Sequence, residues 1–258
     1  MLALPDTLPP AGLFSLSHVL LLIGTALLLA VGLYCCRRVE ERRVRHVILL
    51  LTLLLIACEI GKIAFALFLL KTRNPNEFIP LYFCSITLAA GLFSGIGRGR
   101  LRRCGDIFLA TGGIVGGTVF LLMPATSLPR YPAWHFLSLY SFLLHGAMVF
   151  MGVLLLWRGF YRLRWRDLPL AALPIALTGV AALIFNYVHQ YLTGMQTANL
   201  MFLSRDFPGT PLSALYHALP LPLFTLLLLA GQALGPFLLV YTVAGPWRRG
   251  KRQATFEN

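Results

Sequence analysis

The chain has 258 residues, of which 58% are apolar and 12% charged, and its formal net charge is +13. So few polar side chains cannot cover a water-facing surface, which excludes one or two soluble domains. The charge does not point to nucleic acid either: 17 of the 22 Lys and Arg residues fall in four clusters, at residues 37–45, 98–103, 158–166 and 248–252.

A bilayer core is crossed by about 20 apolar residues of helix. Seven such runs occur, at about residues 15–36, 46–70, 79–96, 106–124, 134–157, 167–188 and 213–244. The expected fold is therefore all-α, a polytopic membrane protein with seven transmembrane helices forming one domain over residues 1–258. Alternate connections are rich and poor in Lys and Arg. The positive-inside rule then places the N-terminus outside and the C-terminus in the cytoplasm, in a multi-pass protein of the cell membrane. The basic clusters also suit anionic lipid headgroups. Residues 1–14 lack a basic n-region and a small-residue cleavage site, so no removed signal peptide is expected.

Span one offers a single polar group, His18, which reads as packing. At its inner end Cys35 and Cys36 adjoin Arg37 and Arg38, where lipid-facing filler and palmitoylation are the two readings. Span two carries Glu59 and Lys62, three residues apart and so on one helix face. Charges at that depth are expensive unless paired or functional. They form either a mutual ion pair or a device in which Glu59 orients a catalytic group.

Span three opens with Pro80, followed by Cys84 and Ser85. Five or six helical residues at about 1.5 Å each would put Cys84 roughly 8 Å below the boundary, near the depth of a phospholipid ester. A buried cysteine is also a small hydrophobe, so an inert role stands beside the catalytic one. Span four contains Gly112, Gly113, Gly116 and Gly117, two interleaved pairs that let helix backbones approach closely within the bundle. In span five His145 lies about 16 Å from the Trp134 boundary, where a histidine needs a polar partner. Span six holds Pro174 and ends at Asn186 and Tyr187. The connection that follows, residues 189–212, is long enough to be a lid or site-forming element and carries Asn199. Span seven contains Pro220, Pro222, Gly235 and Pro236, which predicts kinks at both its ends.

Cys84, His145 and the asparagines Asn186 and Asn199 form a possible acyl-transfer set. A thiolate is the nucleophile, histidine can take the thiol proton, and an amide or carboxylate can fix the imidazole tautomer. Ser85 or an asparagine would be the oxyanion donor. This chemistry requires the Cys84 sulfur and a His145 ring nitrogen within hydrogen-bond or one-water reach. It calls for no cofactor and no metal, and its partner is membrane phospholipid.

Three segments carry a family resemblance: Ile79-Pro80-Leu81-Tyr82-Phe83-Cys84-Ser85, Ser141-Phe142-Leu143-Leu144-His145-Gly146, and Asn199-Leu200-Met201-Phe202-Leu203 with Pro208 and Pro211-Leu212-Ser213 behind it. With these the chain resembles the YwaF-like integral membrane proteins and, through them, the phospholipid acyltransferases of the transmembrane protein 164 type. The resemblance implies a thioester mechanism with Cys84 as acyl acceptor and His145 as base, and Asn199 lining the site. The chain departs from the family pattern at Leu200, where an aromatic is usual, and at Leu219-Pro220-Leu221-Pro222, which replaces a Gly-Pro-Trp-Pro-like entry.

Two rival readings remain open. One is a metal-dependent lipid hydrolase with His135, His145, His189 and His217 as ligands, although none shows HxxxH or HExxH spacing. The other is a transporter or receptor in which Glu59 and Lys62 form an internal relay, which would predict inverted repeats or broken helices at mid-membrane.

Overall fold

Long runs of Leu, Val, Ala and Phe without a charge can hide their backbone only by helical hydrogen bonding when water is absent. The computed structural model accordingly contains seven helices long and apolar enough to cross a membrane. They are span one (Leu16–Cys36), span two (Glu41–Leu69), span three (Pro75–Ile96), span four (Gly99–Leu122), span five (Phe136–Trp157), span six (Trp165–Thr193) and span seven (Leu221–Ala244). The structure describes the backbone of residues 9–253 and side chains through residue 244; the first eight residues and the basic side chains at 248–252 lie outside the described residues. Every regular element among the described residues is helical.

Spans four and five form the centre, with 61% and 56% of their apolar windows buried against 6% for span one. Span two packs on span three, three on four, four on five, and six on seven, while span one lies against span five. The sequence run of span one is so uniformly apolar because most of it faces outward: Leu20, Leu27 and Leu28 are all exposed. Its histidine points inward. His18 is buried and its Nε2 lies 2.9 Å from the Leu121 carbonyl oxygen at the end of span four.

Three helix boundaries differ from those expected. The start of span three is not a continuous helix from residue 79. A single turn, Pro75–Phe78, is followed by extended backbone at Ile79 (ψ 116°) and Tyr82 (ψ 158°), then a 3-10 turn, Phe83–Ser85, and the α-helix Ile86–Ile96. Pro80 is the cause, since the residue before a proline is driven out of the α region. The same rule divides the run 213–244. A separate two-turn helix, Pro211–Ala218, ends at extended Leu219 before Pro220, and the long helix begins at Leu221. Span six, by contrast, runs past Asn186 to Thr193 and stops where Gly194 adopts φ +67° and donates its N–H to the Gln190 carbonyl, a left-handed cap that glycine accepts without a Cβ clash.

The connections at one end of the bundle are basic. There the spans are locked by two buried carboxylates. Asp106 on span four accepts from both Nη atoms of Arg45 on span two, the second at 3.0 Å, and from the Ser94 hydroxyl at 2.6 Å. Asp167 accepts from Arg103 Nε at 3.0 Å, the Tyr161 hydroxyl at 2.5 Å and the Arg164 N–H at 2.9 Å. Burial, with the adjoining Asp167 carboxylate, holds the Tyr161 phenol well above its ordinary range, so it stays a donor.

Candidate functional site

The end opposite the basic one is where span three begins and span five begins, and span four reaches it from below. On span four, four glycines present two bare strips. A Cβ on Gly116 would stand 2.6 Å from the Phe83 ring, and one on Gly112 would stand 3.1 Å from the same ring. One on Gly117 would stand 2.6 Å from the His145 carbonyl oxygen, and one on Gly113 would stand 3.3 Å from that of Met148. One pair therefore admits the residue next to Cys84, and the other admits the backbone that carries His145. The small-residue pairs are packing devices inside the bundle, and what they bring together is the thiol and the imidazole.

His145 Nε2 lies 3.0 Å from Cys84 Sγ. Its other nitrogen, Nδ1, lies 2.6 Å from the Ser141 carbonyl oxygen one turn back in the same helix. A carbonyl can only accept, so Nδ1 carries the hydrogen of the neutral ring and Nε2 presents its lone pair to the thiol. The Phe120 ring stacks on the imidazole at 3.6 Å and 10°, fixing its plane. Cys84 itself sits in the 3-10 turn that leads into Ile86–Ile96. The arrangement can move a proton from sulfur to nitrogen and leave a nucleophile at a helix start.

The remaining candidates stand elsewhere. Asn186 is buried and clasps both backbone groups of Leu200, accepting its N–H at 2.9 Å and donating to its carbonyl at 3.2 Å. Asn199 Oδ1 accepts the N–H groups of Ser204 and Arg205, each at 3.2 Å, and its Nδ2 donates to the Arg205 carbonyl. Neither amide orients the imidazole; that work belongs to the Ser141 carbonyl. Asn199 instead folds a tight loop in which Met201 and Phe202 hold φ +55° and +60°. Span seven grips the same loop through Thr225 Oγ1 to the Leu203 carbonyl and Gln232 Nε2 to the Met201 carbonyl. The loop reaches the cysteine segment through Asn76, whose Oδ1 accepts from the Asn199 N–H at 2.8 Å and from the Tyr82 hydroxyl at 3.1 Å. The Phe202 ring meets that of Tyr82 at 5.7 Å. Ser85 follows Cys84 in the same turn, with its N–H on the Tyr82 carbonyl.

Glu59 pairs with Lys62 at 2.6 Å, and it also accepts the Tyr140 hydroxyl of span five at 2.6 Å. It thus orients a side chain, but a tyrosine rather than the histidine. The histidines of the metal reading have separate partners: His135 stacks on Tyr131, His145 faces Cys84, His189 stacks on Phe185, and His217 lies 3.1 Å from Asp206. Among the described residues no three His, Cys, Asp or Glu side chains are arranged to hold a metal ion. Reasoning from sequence missed Phe120, Tyr140 and the Ser141 carbonyl. The last had a signal, since Ser141 lies four residues before His145 and so directly beneath it on the helix.

Residues 13–241 match the TMEM164 family, a stretch that takes in Cys84, His145 and the Asn199 loop. The chain belongs to the TMEM164 family. No curated protein and no solved structure matches it. In this TMEM164 family member the glycine strips can be tested directly. Gly117→Val is expected to cost about 1–3 kcal/mol, as overpacking of a close interface does, and to move His145 away from the thiol. Chemical denaturation in detergent measures the first effect, and the alkylation rate of the Cys84 peptide by mass spectrometry measures the second. Unchanged values for both would mean that span five yields without disturbing the pair.

Proposed function

We propose that this TMEM164 family member is a phospholipid acyltransferase working through an S-acyl intermediate on Cys84, in the outer half of the cell membrane. His145 Nε2 takes the thiol proton, and the thiolate forms a C–S bond with the ester carbonyl of a donor lipid. The C–O bond breaks, and the leaving oxygen takes the proton back from the imidazolium to give a lysolipid. In the second half His145 removes the proton of an acceptor lipid hydroxyl, whose oxygen attacks the thioester and restores the thiol. Ser85 is the candidate oxyanion donor by its place beside the sulfur. The Asn199 loop is the wall on the substrate side.

The observation that carries this reading is the oriented pair, sulfur to Nε2 at 3.0 Å with Nδ1 engaged on a carbonyl. A structural cysteine needs no histidine held in the accepting tautomer. The resemblance to YwaF-like proteins supports the same chemistry, because its quoted segments include both residues. The test is to incubate the purified protein with phosphatidylcholine vesicles, quench in acid and weigh the intact chain. One acyl group should be added, located on the Cys84 peptide and released by neutral hydroxylamine. An unmodified Cys84 together with no redistribution of acyl chains would sink the proposal.

A further inference from the structure

The basic end of the bundle is concave. A cavity of about 340 Å³ lies between the starts of spans two and four and the connection from span five to span six. Its wall contains five arginines, Arg45, Arg102, Arg103, Arg162 and Arg164. The carboxylates there do not neutralise them all. Asp106 and Glu41 are both engaged by Arg45, and Asp167 is engaged by Arg103. Among the described residues Arg102 spends only its Nε, on the Gly97 carbonyl at 2.9 Å. Among the described residues no carboxylate pairs with Arg102, Arg162 or Arg164.

The connection is held in shape rather than left to spread its charges. Tyr161 and Leu163 are buried while Arg162 and Arg164 between and after them are exposed, an in–out alternation pinned by the hydrogen bonds to Asp167. Guanidinium groups gathered on one concavity repel one another, and an anion in the middle reverses that cost. Arginine is suited to phosphate because its planar fork can donate two parallel hydrogen bonds. The cavity lies where three spans end, and the partly exposed Trp157 and Trp165 bound in sequence the connection that lines it. Such tryptophans mark headgroup depth, and basic pockets between helices at that level suit phosphate-bearing lipids.

We propose that this cavity is a phosphate-binding site, separate from the thiol–imidazole pair, that takes the phosphate of an anionic lipid headgroup or a free phosphate of the same chemistry. The whole protein, purified in a neutral maltoside detergent, is titrated calorimetrically with dioctanoyl phosphatidic acid and, separately, with inorganic phosphate; dioctanoylglycerol is the control without phosphate. Saturable binding of one phosphatidic acid per chain is expected, absent with dioctanoylglycerol. Arg162→Gln with Arg164→Gln should weaken it at least ~10-fold, the loss expected for removing charge-assisted hydrogen bonds. Arg162→Lys with Arg164→Lys, which keeps the charge and guards against misfolding, should fall between. Arg42→Gln with Arg43→Gln, exposed at the same end but outside the cavity, should stay within ~2-fold of wild type if the effect is local rather than a general field. Saturation by inorganic phosphate that displaces the lipid assigns the site to the free anion, and saturation by the lipid alone assigns it to the headgroup; both support the site. No saturable binding of either probe, affinity unchanged by both cavity pairs of substitutions, or an equal loss with the Arg42 and Arg43 pair overturns it and leaves these arginines as topology anchors only.

Discussion

Replacing Cys84 by alanine should lower acyl transfer by at least ~10⁴-fold, the scale at which losing the nucleophile removes a covalent route. His145→Ala should cost about 10²–10⁴-fold, as loss of a positioned general base does. The double variant should be no slower than Cys84→Ala alone, because the two act as one unit and their effects do not add. Ser141→Ala should leave the rate within ~2-fold, since it is the main-chain carbonyl of Ser141 that holds Nδ1 and a backbone group survives the substitution. Rates are read as transfer of a labelled acyl chain from phosphatidylcholine to a lysophospholipid in vesicles. Wild-type transfer by Cys84→Ala would remove the thioester mechanism. A large loss with Ser141→Ala would mean that its side chain, which donates to the Leu137 carbonyl at 2.7 Å, matters more than the tautomer argument allows.

The second large effect is on stability. Arg45 and Asp106 are 5% and 4% exposed, and Ser94, which donates to Asp106, is fully buried. Asp106→Ala leaves a guanidinium enclosed with only the half-exposed Glu41 carboxylate as counter-charge. Breaking one side of a buried ion pair costs about 3–5 kcal/mol, because the remaining charge loses its compensation without regaining water. Replacing both partners by apolar residues of similar size, Arg45→Met with Asp106→Leu, should recover most of that loss. Equilibrium unfolding in detergent with a chemical denaturant compares the three variants. If Asp106→Ala unfolds within ~1 kcal/mol of wild type, a small effect by the standard of ordinary substitutions, the pair is solvated and the bundle is held by its apolar contacts alone. The contrast with Glu77 and Arg130 is useful here, since that exposed pair at 3.0 Å is of the kind that contributes at most about 1 kcal/mol.

How much of this was legible beforehand depends on how local each cause is. Seven spans could be read from runs of apolar residues, because a helix in lipid must be apolar along its own length whatever it packs against. Cys84 and His145 could be picked out because a polar side chain in such a run has to be explained one by one. The break before Cys84 is also local in cause, because Pro80 keeps Ile79 out of the α region and no helix can continue through residues 79–82. Arg45 shows the opposite case. In sequence it is one of five arginines at residues 37–45, with nothing to distinguish it from a topology signal. In the bundle it is the one that turns inward to Asp106, a partner 61 residues away.

The amino-acid sequence by itself determined the membrane class, the number of crossings and the two residues whose chemistry is worth testing, since hydropathy and side-chain type are properties of single segments. Only the tertiary structure decided that the sulfur meets Nε2, that a carbonyl rather than Asn186 or Asn199 sets the tautomer, and that Phe120 covers the ring. These depend on how closely spans three and five approach span four, which the missing side chains of Gly112, Gly113, Gly116 and Gly117 permit. An interval between helices is a property of two surfaces at once, and no pattern along one of them contains it.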